Sequence, residues 1–486
     1  MDKFTPFMKG IWLILSGVLM SGQALTAVAT TMTAPQKVML QSLNEPQAQS
    51  VARSLPIKGY KTLSGTKVLF IRTPGLPMFD VHVSFAAGSA HTPHQPGLAA
   101  LTYSLLNEGV DGKDLNAILE SFDQLGARLG MGITQDRANF SLRSLSNEAQ
   151  RVPALALFAQ MLGKPSLPEQ SLPVAKSQLL HFLDTEDQSH AYQANKALQG
   201  LLSPGHGYIQ SVYGTRDGLA AITHNQVQDF HRHGYAAGNA MITLVGDLTE
   251  DEAQRIGAQI SSALPLGPTV ATIKAPDSPA SPGFLQLQRP TNQAYVRLAQ
   301  PGVLRASPDY VALQMASQIF TNRLMHELRE LRGLTYDVQA GLSTLQAQGI
   351  MTIELQTRPE VADGVMTKIK EMSRDFLIHG PTQEELDDTK TRLAGSAPLN
   401  STTNTQIVGQ LRDIAVNDLP LSLDFSTEKA LALDLASVKN ALIRHLDSEQ
   451  WSTVILGPKA DQQPLPAPME SAANGICRET DEIVAS

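Results

Sequence analysis

The chain has 486 residues, more than one hydrophobic core usually organises. Hydrophobic residues at 42% and charged residues at 17% mark a globular chain, and 35 glycines with 29 prolines are too few for a collagenous or low-complexity one. A net charge of −8 argues against a nucleic-acid partner, and a single cysteine, Cys477, excludes an internal disulfide framework and a thiolate-built zinc cage.

The first elements in chain order form an address. Lys3 and Lys9 precede a short apolar run, Ile11 to Met20, and Ala27-Val28-Ala29 offers a small-x-small cleavage site. About 10 apolar residues cannot span a bilayer, which takes roughly 20. Residues 1–29 therefore read as a secretory signal peptide cleaved near Ala29, which places the mature chain in a periplasm or outside the cell. An uncleaved signal would leave it anchored to a membrane.

The remaining elements occur twice. Val81 to Gly88 alternates as a half-buried strand, and Ala294 to Ala299 does so about 213 residues later. The strand Arg137 to Arg143 has its counterpart in Ile350 to Gln356, at the same offset. Helical periods follow each, over Val152 to Met161 and Val361 to Leu377. Pro168-Glu169-Gln170 and Thr382-Gln383-Glu384 then open further helices, with Thr382 as the N-cap of the second. A shared order at one offset predicts two homologous α+β domains, over 40–265 and 283–460. A Pro/Ala/Ser-rich linker (266–282) joins them, and 461–486 reads as a flexible tail.

These elements and their motifs resemble the pitrilysin and mitochondrial-processing-peptidase family of zinc metallopeptidases. The residues that carry the resemblance are Ala87-Gly88-Ser89, Gly97-Leu98-Ala99, Glu108-Gly109, Tyr213-Gly214 and Val245-Gly246-Asp247. In the second half they are Asn322-Arg323-Leu324, Glu327-Leu328-Arg329 and Arg332-Gly333-Leu334-Thr335-Tyr336. The resemblance implies two domains of the LuxS/processing-peptidase-like type, each an antiparallel-rich sheet packed with helices, forming half of a clamshell.

Active relatives carry H-x-x-E-H on the first helix, because two imidazoles one helical turn apart hold zinc and the glutamate takes a proton from its water. Here the ligand positions are Ala100 and Ser104 and the base position is Tyr103. The glutamate that relatives supply from a later helix is missing too, since Gln170 to Leu183 contains neither Asp nor Glu. No metal is expected on this chain. His91 and His94 are separated by a helix-breaking proline, His231 and His233 point to different sides of a helix, and His181 and His190 have no evident partner. Neither a G-x-S-x-G elbow nor a phosphate loop is present, and Gly126, Gly130 and Gly132 do not follow a strand as a dinucleotide fold requires.

The resemblance assigns Arg332 and Tyr336, spaced R-x-x-x-Y, to peptide binding and to stabilising the transition state. A helix capped at Thr321 or Asn322 should run to Leu331, Gly333 should end it left-handed, and Leu334 to Val338 should turn into strand. Arg332 would then keep a free fork for a carbonyl or carboxylate. On the residues alone, Arg332 can equally complement the helix C-terminus, at about 0.3–1 kcal/mol, and Tyr336 can pack. A half-site implies a homologous zinc-bearing subunit, with a peptide or unfolded protein as substrate. The chain would be inactive alone and part of a metalloendopeptidase complex. The alternatives are an inactive peptide-binding or scaffold protein of the same fold, or a peptide-holding homodimer.

Overall fold

The computed structural model describes residues 55–277 and 281–469. The leader read at residues 1–29 and Cys477 lie outside the described residues. Among the described residues no helix is long and apolar enough to cross a membrane.

The first half opens with β1 (Lys58–Lys61), β2 (Lys67–Arg72), β3 (Met78–Phe85) and α1 (Leu98–Leu105). A two-residue-per-arm hairpin, β4 (Gly109–Val110) and β5 (Lys113–Asp114), leads to α2 (Leu115–Gln124), β6 (Arg128–Ile133) and β7 (Ala138–Leu145). Then come α3 (Glu148–Gly163), α4 (Leu172–Gln188), α5 (His190–Leu202), α6 (Arg216–Ala221), α7 (His224–Gly234), β8 (Ala240–Gly246) and α8 (Glu250–Ala263). The second half contains β9 (Phe284–Gln288), β10 (Ala294–Pro301), α9 (Tyr310–Leu324), β11 (Val338–Leu345) and β12 (Gln348–Thr357). It closes with α10 (Ala362–His379), α11 (Gln383–Ser396), α12 (Asn404–Asn417), α13 (Phe425–Ala432), α14 (Leu435–His445) and β13 (Ser452–Gly457).

The two sheets have one topology. The first orders its strands β1-β2-β8-β3-β7-β6, and the second, read from the same side, β9-β13-β10-β12-β11. In each, the pair β2/β8 or β9/β13 is parallel and all other pairs are antiparallel. Period-two patterning decides the faces. Phe79, Val81, Val83 and Phe85 of β3 are wholly buried in the first core, while Asp80, His82 and Ser84 face the other way. Helix starts follow local chemistry: Thr223, Thr249, Thr382 and Thr403 each close a capping box with the Gln or Glu three residues on.

Two helices leave their own half. α5 lays Ala194, Leu198 and Leu202 on Ala299, Ile350, Val454 and Leu456 of the second sheet. α12 lays Ile407, Leu411, Ile414 and Ala415 on Leu69, Ile71 and Val245 of the first. These helices occupy corresponding places in the repeat, so the exchange is reciprocal and each sheet's second apolar face is covered by the other half's helix. The exchange ties the halves together through side-chain burial rather than through the linker.

The last described residues depart from the sequence reading. Residues 461–469, expected to be the start of a flexible tail, lie along the second half. Gln463 N donates to Glu360 O at 2.7 Å, Met469 N to Leu331 O at 2.6 Å, and Leu465 packs on the second core. An apolar residue between prolines, with a carbonyl left over where the helix ends at Leu331 and an N–H left over where α10 starts, is enough to dock the segment.

Candidate functional site

In the first half, α1 starts at Gly97, whose φ of 105° suits glycine and where a Cβ would stand 2.7 Å from Leu219 Cδ2. The helix buries Leu98, Ala99, Ala100, Leu101 and Leu105. Ala100 is fully enclosed and offers no donor atom. Ser104 spends its hydroxyl on the Ala100 carbonyl at 2.8 Å. The Tyr103 ring lies 5.7 Å from Phe140, and burial, with help from Tyr213, pushes its phenol up to about 12. A phenol that stays protonated at neutral pH cannot accept a proton from water. Beside it, Phe182 of α4 stacks on Tyr213 at 4.9 Å. These side chains do not fit a zinc ion. Apolar and aromatic packing stands where ligands would be needed.

The nearby histidines are accounted for one by one. His231 is buried and bonds the Leu162 carbonyl at 2.9 Å, whereas His233 is exposed and bonds Asp229 O. His91 sits in a short turn before α1, its Nε2 buried without a partner, and His94 is exposed. His190 stacks on Tyr295, and His181 lies exposed on α4. Among the described residues no three His, Cys, Asp or Glu side chains converge as a metal site.

In the second half, α9 begins at Tyr310, well before Thr321, so Thr321 is not its cap. Its hydroxyl instead bonds Ser317 O within the helix and the Ala340 backbone of β11. The helix widens into π-helical turns over Met325–Leu331, an uncommon form that often marks functional segments. Leu334 N then returns to Leu328 O at 2.8 Å, and Gly333 takes the left-handed φ of 58° that the sequence predicts. Residues 334–337 form a loop rather than strand, since β11 starts at Val338.

Arg332 is not free. Its Nε donates to Glu327 Oε1 at 2.7 Å and its Nη1 to the Pro466 carbonyl at 2.6 Å. The expected open fork is thus taken by a neighbour within the turn and by the returning chain. Tyr336 is the reverse case, 87% exposed with its ring standing on the surface. It borders a pocket of about 320 Å³ shared with Thr335, Asp337, Arg297 and Glu354. The structure places Arg332 and Tyr336 on one turn but gives them different surroundings.

Two arginines were given no role by the sequence reading. Arg329 is exposed on the π-helical turn, and its guanidinium has no carboxylate partner among the described residues. Arg297, on β10, is buried at 5% exposure. It bonds Asn195 Oδ1 at 2.9 Å and Leu355 O at 2.9 Å, and pairs with Glu354 at 3.3 Å across the sheet. Burial lowers its guanidinium, opposed by Glu354. The signal for Arg297 was a charge in the middle of an apolar strand. Its partner Asn195 comes from the exchanged α5, which sequence spacing does not announce.

Comparison with known proteins bears on both halves. The family model described as the Peptidase M16 inactive domain matches residues 221–393. The crystal structure of a peptidase M16 inactive domain from Pseudomonas fluorescens is 41% identical, with a TM-score of 0.82, over 85% of this chain and 100% of that one. The non-peptidase homolog YmxG of Helicobacter pylori is 24% identical over 72% of this chain and 82% of its own length. The first half of the periplasmic protease PqqL from Escherichia coli shares the fold, at 14% identity and a TM-score of 0.70, over 84% of this chain and 93% of that one.

Proposed function

The chain belongs to the M16 peptidase family, and from that premise we propose that it is the subunit without zinc of a heterodimeric periplasmic metallopeptidase. In this reading a homologous partner with an intact H-x-x-E-H supplies the metal, which would activate the attacking water. This chain supplies surface for an extended peptide or unfolded protein, with Arg332 and Tyr336 meeting its backbone. The observation that carries the reading is the contrast between halves. Tyr336 stands exposed beside an open polar pocket, whereas Ala100 is enclosed, Tyr103 is half-buried against Phe140 and Ser104 spends its hydroxyl on the helix backbone. Periplasmic placement rests on the signal-like residues 1–29.

The test is co-expression with a homologue bearing H-x-x-E-H, encoded beside this chain, followed by assay of each subunit and of the pair on an unfolded peptide. Hydrolysis by the pair alone supports the proposal. A co-purifying pair no faster than the zinc-bearing subunit by itself would remove it. A second reading, a non-catalytic peptide-binding or scaffold protein, is favoured by one observation: Arg332 already holds a carbonyl of its own chain. Peptide binding without any effect on hydrolysis would favour that reading.

A further inference from the structure

The segment 462–469 has the form of a bound peptide. Gln462 reaches both ways at the start of α10, its Nε2 donating to Pro359 O at 2.9 Å and its Oε1 accepting from Asp363 N at 3.1 Å. Gln463 N bonds Glu360 O, and Leu465 lies on Gly364, where a Cβ would stand 2.9 Å from Leu465 Cδ2. The Pro466 carbonyl then takes Arg332 Nη1, and Met469 N closes on Leu331 O. Pro464, Pro466 and Pro468 favour an extended backbone and reduce the entropy lost on docking.

The seat is shallow. Leu465 and Pro466 are half-buried, and every other residue from 461 to 469 is exposed. One half-buried apolar side chain and a few exposed or part-buried hydrogen bonds describe a segment from the low-stability end of a fold. Arg332, in contrast, is also held by Glu327, a contact that does not involve the segment.

We propose that residues 462–469 are an intramolecular peptide ligand that keeps Arg332 occupied until an incoming extended peptide displaces it. The inference rests on the peptide-binding reading of Arg332 given above and adds competition to it. Docking and peptide binding then draw on one guanidinium, and the apparent affinity for peptide falls by the fraction of molecules with the segment released.

The experiment titrates a fluorescein-labelled, unstructured casein peptide into three proteins: the full chain, a chain ending at Lys459, and full-length Leu465→Ser. Leu465→Ser releases the segment without shortening the chain, so a folding defect of the truncation cannot mimic the result. With the segment docked in about 90–99% of molecules, truncation tightens the apparent Kd by about 10–100-fold, and Leu465→Ser moves it in the same direction. Equal affinity in all three overturns the competition alone and leaves the peptide-binding reading standing. Weaker binding after truncation also overturns it, because the segment would then be part of the site. Absence of binding in all three overturns both readings together, an outcome distinct from equal affinity.

Discussion

Arg143 and Arg297 each form a cross-strand ion pair in their own sheet, on opposite members of the strand pair. In the first sheet Asp80 of β3 faces Arg143 of β7, and in the second Arg297 of β10 faces Glu354 of β12. The charges are exchanged between strands, yet each arginine also bonds the helix contributed by the other half, Thr405 of α12 at 2.7 Å or Asn195 of α5 at 2.9 Å.

Their surroundings predict unequal costs. Arg297 is buried and serves the Leu355 carbonyl and Asn195 as well as the part-exposed Glu354. Arg297→Ala, which leaves buried acceptors unsatisfied, should therefore lower stability by about 1–3 kcal/mol. Arg143 has a side chain 38% exposed, and Arg143→Ala should cost about 1 kcal/mol or less. Denaturant unfolding of the two variants measures both. Equal losses would show that the exchanged helices, rather than burial of the charge, set the energetics.

The first-half site predicts a negative outcome with a sharp edge. The purified chain should hold far less than stoichiometric zinc by elemental analysis and should not cleave unfolded peptides. Ala100→His with Ser104→His should leave it inactive, because Tyr103 keeps its proton and α4 carries no Asp or Glu before Asp184. A full zinc equivalent retained by the wild-type chain after mild chelation, or peptidase activity in the double variant, would mean that a carboxylate from elsewhere completes a centre.

Much of this was legible because it is periodic. The strands at Val81, Arg137, Ala294 and Ile350 alternate in sequence. Burial follows the alternation strictly in β7, while β3 and β10 are buried on both faces under the exchanged helices. The loss at Ala100, Tyr103 and Ser104 could be read directly, because metal chemistry needs particular donor atoms. The exchange of α5 and α12 could not, since an amphipathic helix states which face it buries and not against which sheet. Arg332 was misjudged for a related reason. Its acceptor at Pro466 lies 134 residues away, and a proline-rich ending resembles an undocked tail until Leu465 finds its seat. Thr321 resembled a cap because threonine caps helices, but α9 had already begun at Tyr310.

Acid should loosen the junction between α3 and α8. Glu252 lies in the α8 capping box and is depressed from its ordinary 4.5 to about 2, first by the Thr249 backbone and then by Arg151. A lowered folded value contributes stability that is present above 4.5 and lost as pH falls towards 2. Urea midpoints measured through that window should fall more for the wild type than for Glu252→Gln, which has no carboxylate to protonate. Parallel curves would assign the acid dependence to other groups.

The most exposed prediction concerns Tyr336, Arg332 and Arg329 in a catalytically competent pair with a zinc-bearing homologue. Tyr336 is 87% exposed, so Tyr336→Phe should leave stability within about 0.5 kcal/mol of wild type. If its hydroxyl donates to the developing oxyanion, the same change lowers kcat by about 10²–10³. Arg332→Ala removes the grip on the peptide and should mainly raise KM, the signature of an interaction equally strong in ground and transition states. It also frees residues 462–469, so proteolytic nicking of that segment should accompany the kinetic change. Arg329→Ala is the control, because that guanidinium touches neither Glu327 nor Pro466 among the described contacts. Loss of activity in Arg329→Ala, with Arg332→Ala kinetically silent but nicked, would move the peptide grip to Arg329 and leave Arg332 as the latch of the docked segment. Unchanged kcat/KM in all three variants would remove this face from the reaction.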